Sequence, residues 1–166
     1  MQSSGFYKFF VAAIVILSIG LMIWLGMDKA RTMPLDIAPE TASTTARLPQ
    51  LSEVLAPKGT ISVLILSTPE ARERGLSGVR SLPKDSGMLF VFPTAGPYGF
   101  WMKGMSFAID IVWIDADKRV SGVVSGIPPE SYPEIFYPPS DAMYVLELNT
   151  GGAKDYGIAT GTKLVF

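Results

Sequence analysis

The stretch Ala108-Ile109-Asp110-Ile111-Val112-Trp113-Ile114-Asp115 decides the fold class. β-branched and aromatic residues dominate it, and the polar turn Ala116-Asp117-Lys118 follows, so it reads as a strand. Alternation puts Asp110 with Ala108, Val112 and Ile114, and sets Ile109, Ile111 and Trp113 on the opposite face. Both faces are apolar, the mark of a strand buried on both sides. An ionised Asp in such a place is costly unless a cation or several hydrogen-bond donors meet it. Lys103, Arg72, Arg74 and Arg80 are the candidate cations. Glu147 raises the same question, because alternation places it with Met143 and Val145 in the strand Met143–Leu148.

On either side the pattern stays strand-like. Thr60–Leu66 is rich in β-formers, and Thr68-Pro69-Glu70 then reads as a helix start, with Thr at the N-cap, Pro at N1 and an acid in the first turn. That helix is expected to stop near Gly75. Gly87–Phe92 and a segment through Val120, Val123 and Val124 are further strands, Gly151–Tyr156 is a helical turn or two, and Lys163–Phe166 is a last strand. Many short strands broken by Gly and Pro predict a mainly β fold over residues 59–166, a compact β-barrel or sandwich with one or two short helices.

The beginning of the chain has a different character. Phe9–Gly26 carries no charge over 18 residues. At ~1.5 Å per residue that is roughly 27 Å of helix, close to a hydrocarbon core of about 30 Å. Lys8 precedes the run, Asp28, Lys29 and Arg31 follow it, and Trp24 sits where an interfacial anchor belongs. The expectation is a single uncleaved transmembrane helix within residues 1–30, inserted in a bacterial inner membrane with the remainder facing the periplasm. A cleaved signal peptide is the rival, but the run is longer than a usual apolar leader and no A-x-A-like site follows closely. Residues 31–58 hold four prolines around a Thr/Ser/Ala-rich centre, and read as a tether.

Composition removes several chemistries. The chain has no Cys and no His, which excludes disulfides, thiolate nucleophiles, Ser-His-Asp triads and His-ligated metals. With 14 basic and 15 acidic residues it shows no electrostatic footprint for nucleic acid. Asp115-Ala116-Asp117 lacks the later Gly and Glu of a calcium loop and fits a hairpin turn. Ser106, three residues after Lys103, has none of the local context of a Ser–Lys dyad. Neither a metal nor another cofactor is expected.

Two groups of residues remain as candidate sites. Asp110 and Glu147 could form a carboxylate pair in a pocket, with Lys103 or Arg74 as cation and Trp101 as an apolar wall, suited to gripping a small polar ligand or to acid–base work. Alternatively, each acid caps backbone N–H groups or pairs with an Arg, and is structural. The loop Ile127–Pro139 interleaves five prolines with Tyr132, Phe136 and Tyr137. It either folds back over the domain or offers a preformed docking surface, to which Trp24 would add a contact within the membrane.

The motifs A-R-E-R-G-L (71–76), G-M-L-F-V-F (87–92), F-W-M-K (100–103), I-D-I-V-W-I-D (109–115) and Y-V-L-E-L (144–148), with the glycines at 151, 157 and 161, resemble the DUF192 family of small bacterial and archaeal proteins. The resemblance spans about residues 60–166 and implies a small, mostly β domain that is usually exported. It implies no reaction. Where the family typically continues N-T-x-x-P-L-D after F-W-M-K, Gly104 and Ala108 stand at the Asn and Pro positions here. The expected function is that of a membrane-anchored, non-catalytic accessory subunit that binds the bilayer through residues 9–26 and a partner membrane protein through its loop. The alternatives are a small-ligand-binding domain using the Asp110/Glu147/Lys103 region, or a carboxylate-dependent hydrolase.

Overall fold

The computed structural model describes residues 50–166. The expected anchor with Trp24, and residues 31–49 of the expected tether, lie outside the described residues. Among those described, no helix is long and apolar enough to cross a membrane.

Among the described residues, six strands and two short helices follow one another: β1 (Gln50–Ala56), β2 (Gly59–Leu66), α1 (Pro69–Arg74), β3 (Ser86–Gly96), β4 (Ile109–Ile114), β5 (Val120–Ile127), β6 (Ala142–Asn149) and α2 (Gly152–Asp155). A 3-10 turn, Pro129–Ser131, interrupts the long loop before β6. All strands belong to one sheet in the order β1-β2-β3-β6-β4-β5. β2 and β3 are parallel, joined by the crossover that carries α1, and every other neighbouring pair is antiparallel.

Three expectations are corrected. The sheet is open, neither a closed barrel nor a sandwich of two sheets. Its edges β1 and β5 do not pair with each other. The C-terminal segment reaches each of them through isolated bridges instead, Leu55 with Val165 and Arg119 with Lys163. Lys163–Phe166 is therefore a strap of single bridges and not the strand its composition suggested. The third correction concerns Gln50–Ala56, which the prolines and polar centre of 31–58 assign to the tether. It is an edge strand, turned back onto β2 through Pro57-Lys58. Its alternation is blurred: only Val54 among its inward positions is large and apolar, while Leu51 and Leu55 point outward.

The sheet buries both faces. One carries Val54, Ile61, Val63, Leu89, Val112, Ile114, Leu146 and Leu148, closed by Ala153 of α2 and by Ile158 and Leu164 beyond it. The other carries Met88, Phe90, Ile109, Ile111, Trp113 and Val145, covered by Leu76 after α1 and by Met102. β4 is buried at all six positions, as its two apolar faces require. Two acids are buried among these residues, Asp110 and Glu147.

Candidate functional site

The two buried acids are not brought together. Asp110 pairs across the ladder with Leu148, and Ile111 pairs with Glu147. Directly opposed residues share a face and successive residues alternate. Asp110 therefore lies on the face of Leu148, and Glu147 on the opposite face, between Met88 and Ile111.

Asp110 is fully buried and fully occupied. Its Oδ1 accepts from the N–H of Gly126 (2.9 Å) and Gly151 (3.1 Å), and its Oδ2 from the N–H of Ala153 (3.0 Å). One carboxylate thus joins the end of β5, the turn after β6 and the first turn of α2. Gly151 presents its N–H from a left-handed conformation (φ 83°) that glycine adopts without cost. Backbone donors solve the burial problem here, without Lys103, Arg72, Arg74 or Arg80. Asp110 is a brace.

Glu147 has no such arrangement. It is 5% exposed, and its Oε2 has no hydrogen-bond partner. Burial pushes its carboxyl up from 4.5 to about 8, which keeps it protonated at neutral pH. It forms the floor of a cleft of about 340 Å³.

Three pieces of chain build the walls of that cleft. α1 begins at the Thr68 hydroxyl, which accepts from Ala71 N–H (3.2 Å), and ends at Gly75 (φ 47°), so that Arg72 and Arg74 both face the cleft. Arg72 is spent on structure: it donates to the carbonyls of Ser67 and Val91 and lies 5.0 Å from the Phe92 ring. Arg74 stays exposed at the rim. β3 contributes Phe90, packed edge-on to Phe100 at 4.9 Å, and Phe92, stacked on Tyr98 at 3.6 Å. The loop after β3 contributes Trp101 and Lys103, whose Nζ sits 5.4 Å from the Trp101 ring. That loop is tied down where Ser77 Oγ donates to the Lys103 carbonyl (2.7 Å) and Gly78 N–H to that of Gly104 (3.0 Å).

Of the five residues expected in a ligand site, the structure gathers Arg74, Trp101, Lys103 and Glu147 around one cleft and leaves Asp110 outside it. The sequence reading missed the aromatic lining, Phe90, Phe92, Tyr98 and Phe100. The alternation of Phe90 and Phe92 within β3 was its visible signal. In the 127–139 loop, Tyr132 (45% exposed) packs edge-on to Trp101 at 5.8 Å and Tyr137 is 60% exposed. Phe136 is half-buried, held by paired backbone hydrogen bonds to Phe100. The loop therefore folds onto the domain and still leaves aromatic surface beside the cleft. Asp115 accepts from Arg119 N–H (2.8 Å) within the β4–β5 turn, a turn-forming role. Among the described residues, no three His, Cys, Asp or Glu side chains converge.

A model of the DUF192 family, described as "Uncharacterized ACR", matches residues 53–166. The chain belongs to the DUF192 family. Solved structures with the same fold include a putative transcription regulator from Sinorhizobium meliloti 1021, with 30% identity, a TM-score of 0.65 and coverage of 70% of this chain and 94% of the other. A protein of unknown function from Novosphingobium aromaticivorans DSM 12444 is similar at 24% identity and a TM-score of 0.66, covering 71% of this chain and 86% of its own. No curated protein matches.

Proposed function

We propose that this DUF192 domain is a non-catalytic binding module that holds a small molecule in the Glu147 cleft, carried on a membrane anchor at residues 9–26 and facing the periplasm. The observation that carries the reading is the Glu147 carboxyl: nine-tenths buried, without a partner for Oε2, and part of the lining of a cleft with aromatic walls. A buried polar atom left unpaired costs about 1–3 kcal/mol, and a bound ligand that supplies the missing hydrogen bond recovers much of it. The cleft volume falls near the lower end of the roughly 300–1,000 Å³ range of ligand pockets. Catalysis is the weaker reading, because Asp110, the acid expected to pair with Glu147, lies on the other face of the sheet, and Glu73, the other acid of the cleft, stands exposed at its rim.

The test is a chemically diverse fragment set added to the isotope-labelled full chain in non-ionic detergent, with binding followed by amide chemical shifts. The reading expects perturbations gathered at Gly75–Ser77, Phe90, Phe100–Lys103 and Glu147. Hits scattered over the surface, or none at this cleft, overturn it.

A second reading, accessory subunit of a membrane protein complex, draws on the exposed apolar cluster of Trp101, Tyr132, Ile135 and Tyr137 beside the cleft mouth. It expects a stoichiometric integral-membrane partner to co-purify in mild detergent and to be lost in the Tyr132→Ser/Tyr137→Ser double variant. A monomer with no partner counts against it. The relative from Sinorhizobium is named a putative transcription regulator, but 14 basic against 15 acidic residues do not supply the cationic surplus that phosphate-backbone binding draws on.

A further inference from the structure

The charges around the cleft narrow the class of ligand, given the binding reading above. Aromatic walls over a carboxyl group also suit an ammonium ligand, recognised by cation–π contact. Two features oppose that occupant here. Arg72 already lies over Phe92 and Lys103 over Trp101, at 5.0 and 5.4 Å, so the chain's own cations occupy those ring faces and would repel a third. An ammonium group would also bind best to Glu147 ionised, the form that burial between Met88 and Ile111 disfavours. A neutral carboxyl is instead a hydrogen-bond donor.

We propose that the cleft takes a small organic monoanion whose apolar body packs against Phe90 and Phe100 and whose anionic group accepts from the Glu147 hydroxyl, under the attraction of Arg74 and Lys103 at the rim. Glu73 is the opposing charge at that rim, which favours one negative charge over two. The charged or titratable groups that line the cleft with Glu147 are Arg72, Glu73 and Arg74 from α1, and Tyr98 and Lys103 from the loop after β3. Its neighbours in the sheet, Met88 and Ile111, do not titrate. Glu147 is thus the group whose proton the anion senses, and affinity falls as pH rises through about 8.

The experiment compares benzoate, hexanoate, benzylamine and benzyl alcohol on the full chain in non-ionic detergent, by amide shifts at pH 6.5 and pH 9. Benzoate against hexanoate separates an aromatic acid from an acyl chain as the source of the anion. The expected result is that at least one carboxylate moves the Phe100–Lys103 and Glu147 resonances at pH 6.5, that it binds more weakly at pH 9, and that Glu147→Gln, which keeps a donor, binds it equally at both. Lys103→Gln, at an exposed position that does not threaten folding, weakens it by up to about fivefold. Benzylamine or benzyl alcohol binding in the cleft while both carboxylates fail overturns the anion assignment and leaves the pocket intact. Failure of all four probes at the cleft, with fragment hits absent there as well, overturns the assignment together with the binding reading.

Discussion

Asp110 and Glu147 stand one ladder step apart on neighbouring strands, both buried, yet they are opposite kinds of site. Asp110 is met by three backbone N–H groups from three segments, and every one of those segments depends on it. Glu147 sits among apolar neighbours with an oxygen unpaired and a cleft in front of it. The burial penalty is answered inside the protein in the first case and left open in the second. A buried acid therefore says little about function until its partners are counted.

The contrast can be broken most forcefully at Asp110. Replacing it with Ala leaves three N–H groups without their acceptor, that of Ala153 in the buried interior, and urea denaturation is expected to show a loss of about 3–5 kcal/mol, or a chain that does not fold. Glu147 is expected to behave in the reverse sense. Glu147→Met, of similar volume, should stabilise the domain by about 1–3 kcal/mol at pH 7 by removing an unpaired buried polar atom. Its pH dependence has a definite sign. The folded chain keeps a proton on Glu147 that the unfolded chain releases near 4.5, so this contribution is fully present below pH 4.5 and is lost as pH rises to about 8. Denaturation midpoints of the parent should fall across that window relative to Glu147→Gln, which has no such proton.

Smaller changes sharpen the comparison. Gly151→Ala meets open space but forces a side chain onto φ 83°, so a loss of about 1–2 kcal/mol is expected from strain at the Asp110 brace. Trp101→Ala, which gives up its edge contact with Tyr132, should change stability by about 1 kcal/mol, and Lys103→Ala, at an exposed rim position, by less than about 0.5 kcal/mol, while both still affect whatever the cleft binds. Thermal melts of the set check this order.

Much of the fold was legible beforehand. The period-2 pattern of Ile109–Ile114 announced a strand buried on both faces, and Thr68-Pro69 with Gly75 bracketed α1 to within a residue. β1 was hidden because its outward Leu51 and Leu55 blur the alternation that Val54 supports alone. Sheet closure could not be read at all, since it depends on whether the edges meet, and here a C-terminal strap touches each of them at single bridges. For the site, alternation gave the face of each acid within its own strand but not how β4 and β6 line up. A shift of one residue in that register would have put both carboxylates on one face. Arg74, Trp101, Lys103 and Glu147 were named from their chemistry, and the tertiary fold was needed to separate Asp110 from them.

The most direct measurement is an NMR pH titration of the Glu147 side-chain carboxyl carbon in the ligand-free chain, assigned by its disappearance in Glu147→Gln. A midpoint near 8 is the expected result, the signature of an acid held neutral by burial with no side chain or backbone group to pair its Oε2. A midpoint near 4.5 would mean that water or a cation already satisfies the group, and the contrast between a filled brace and an open site would fail.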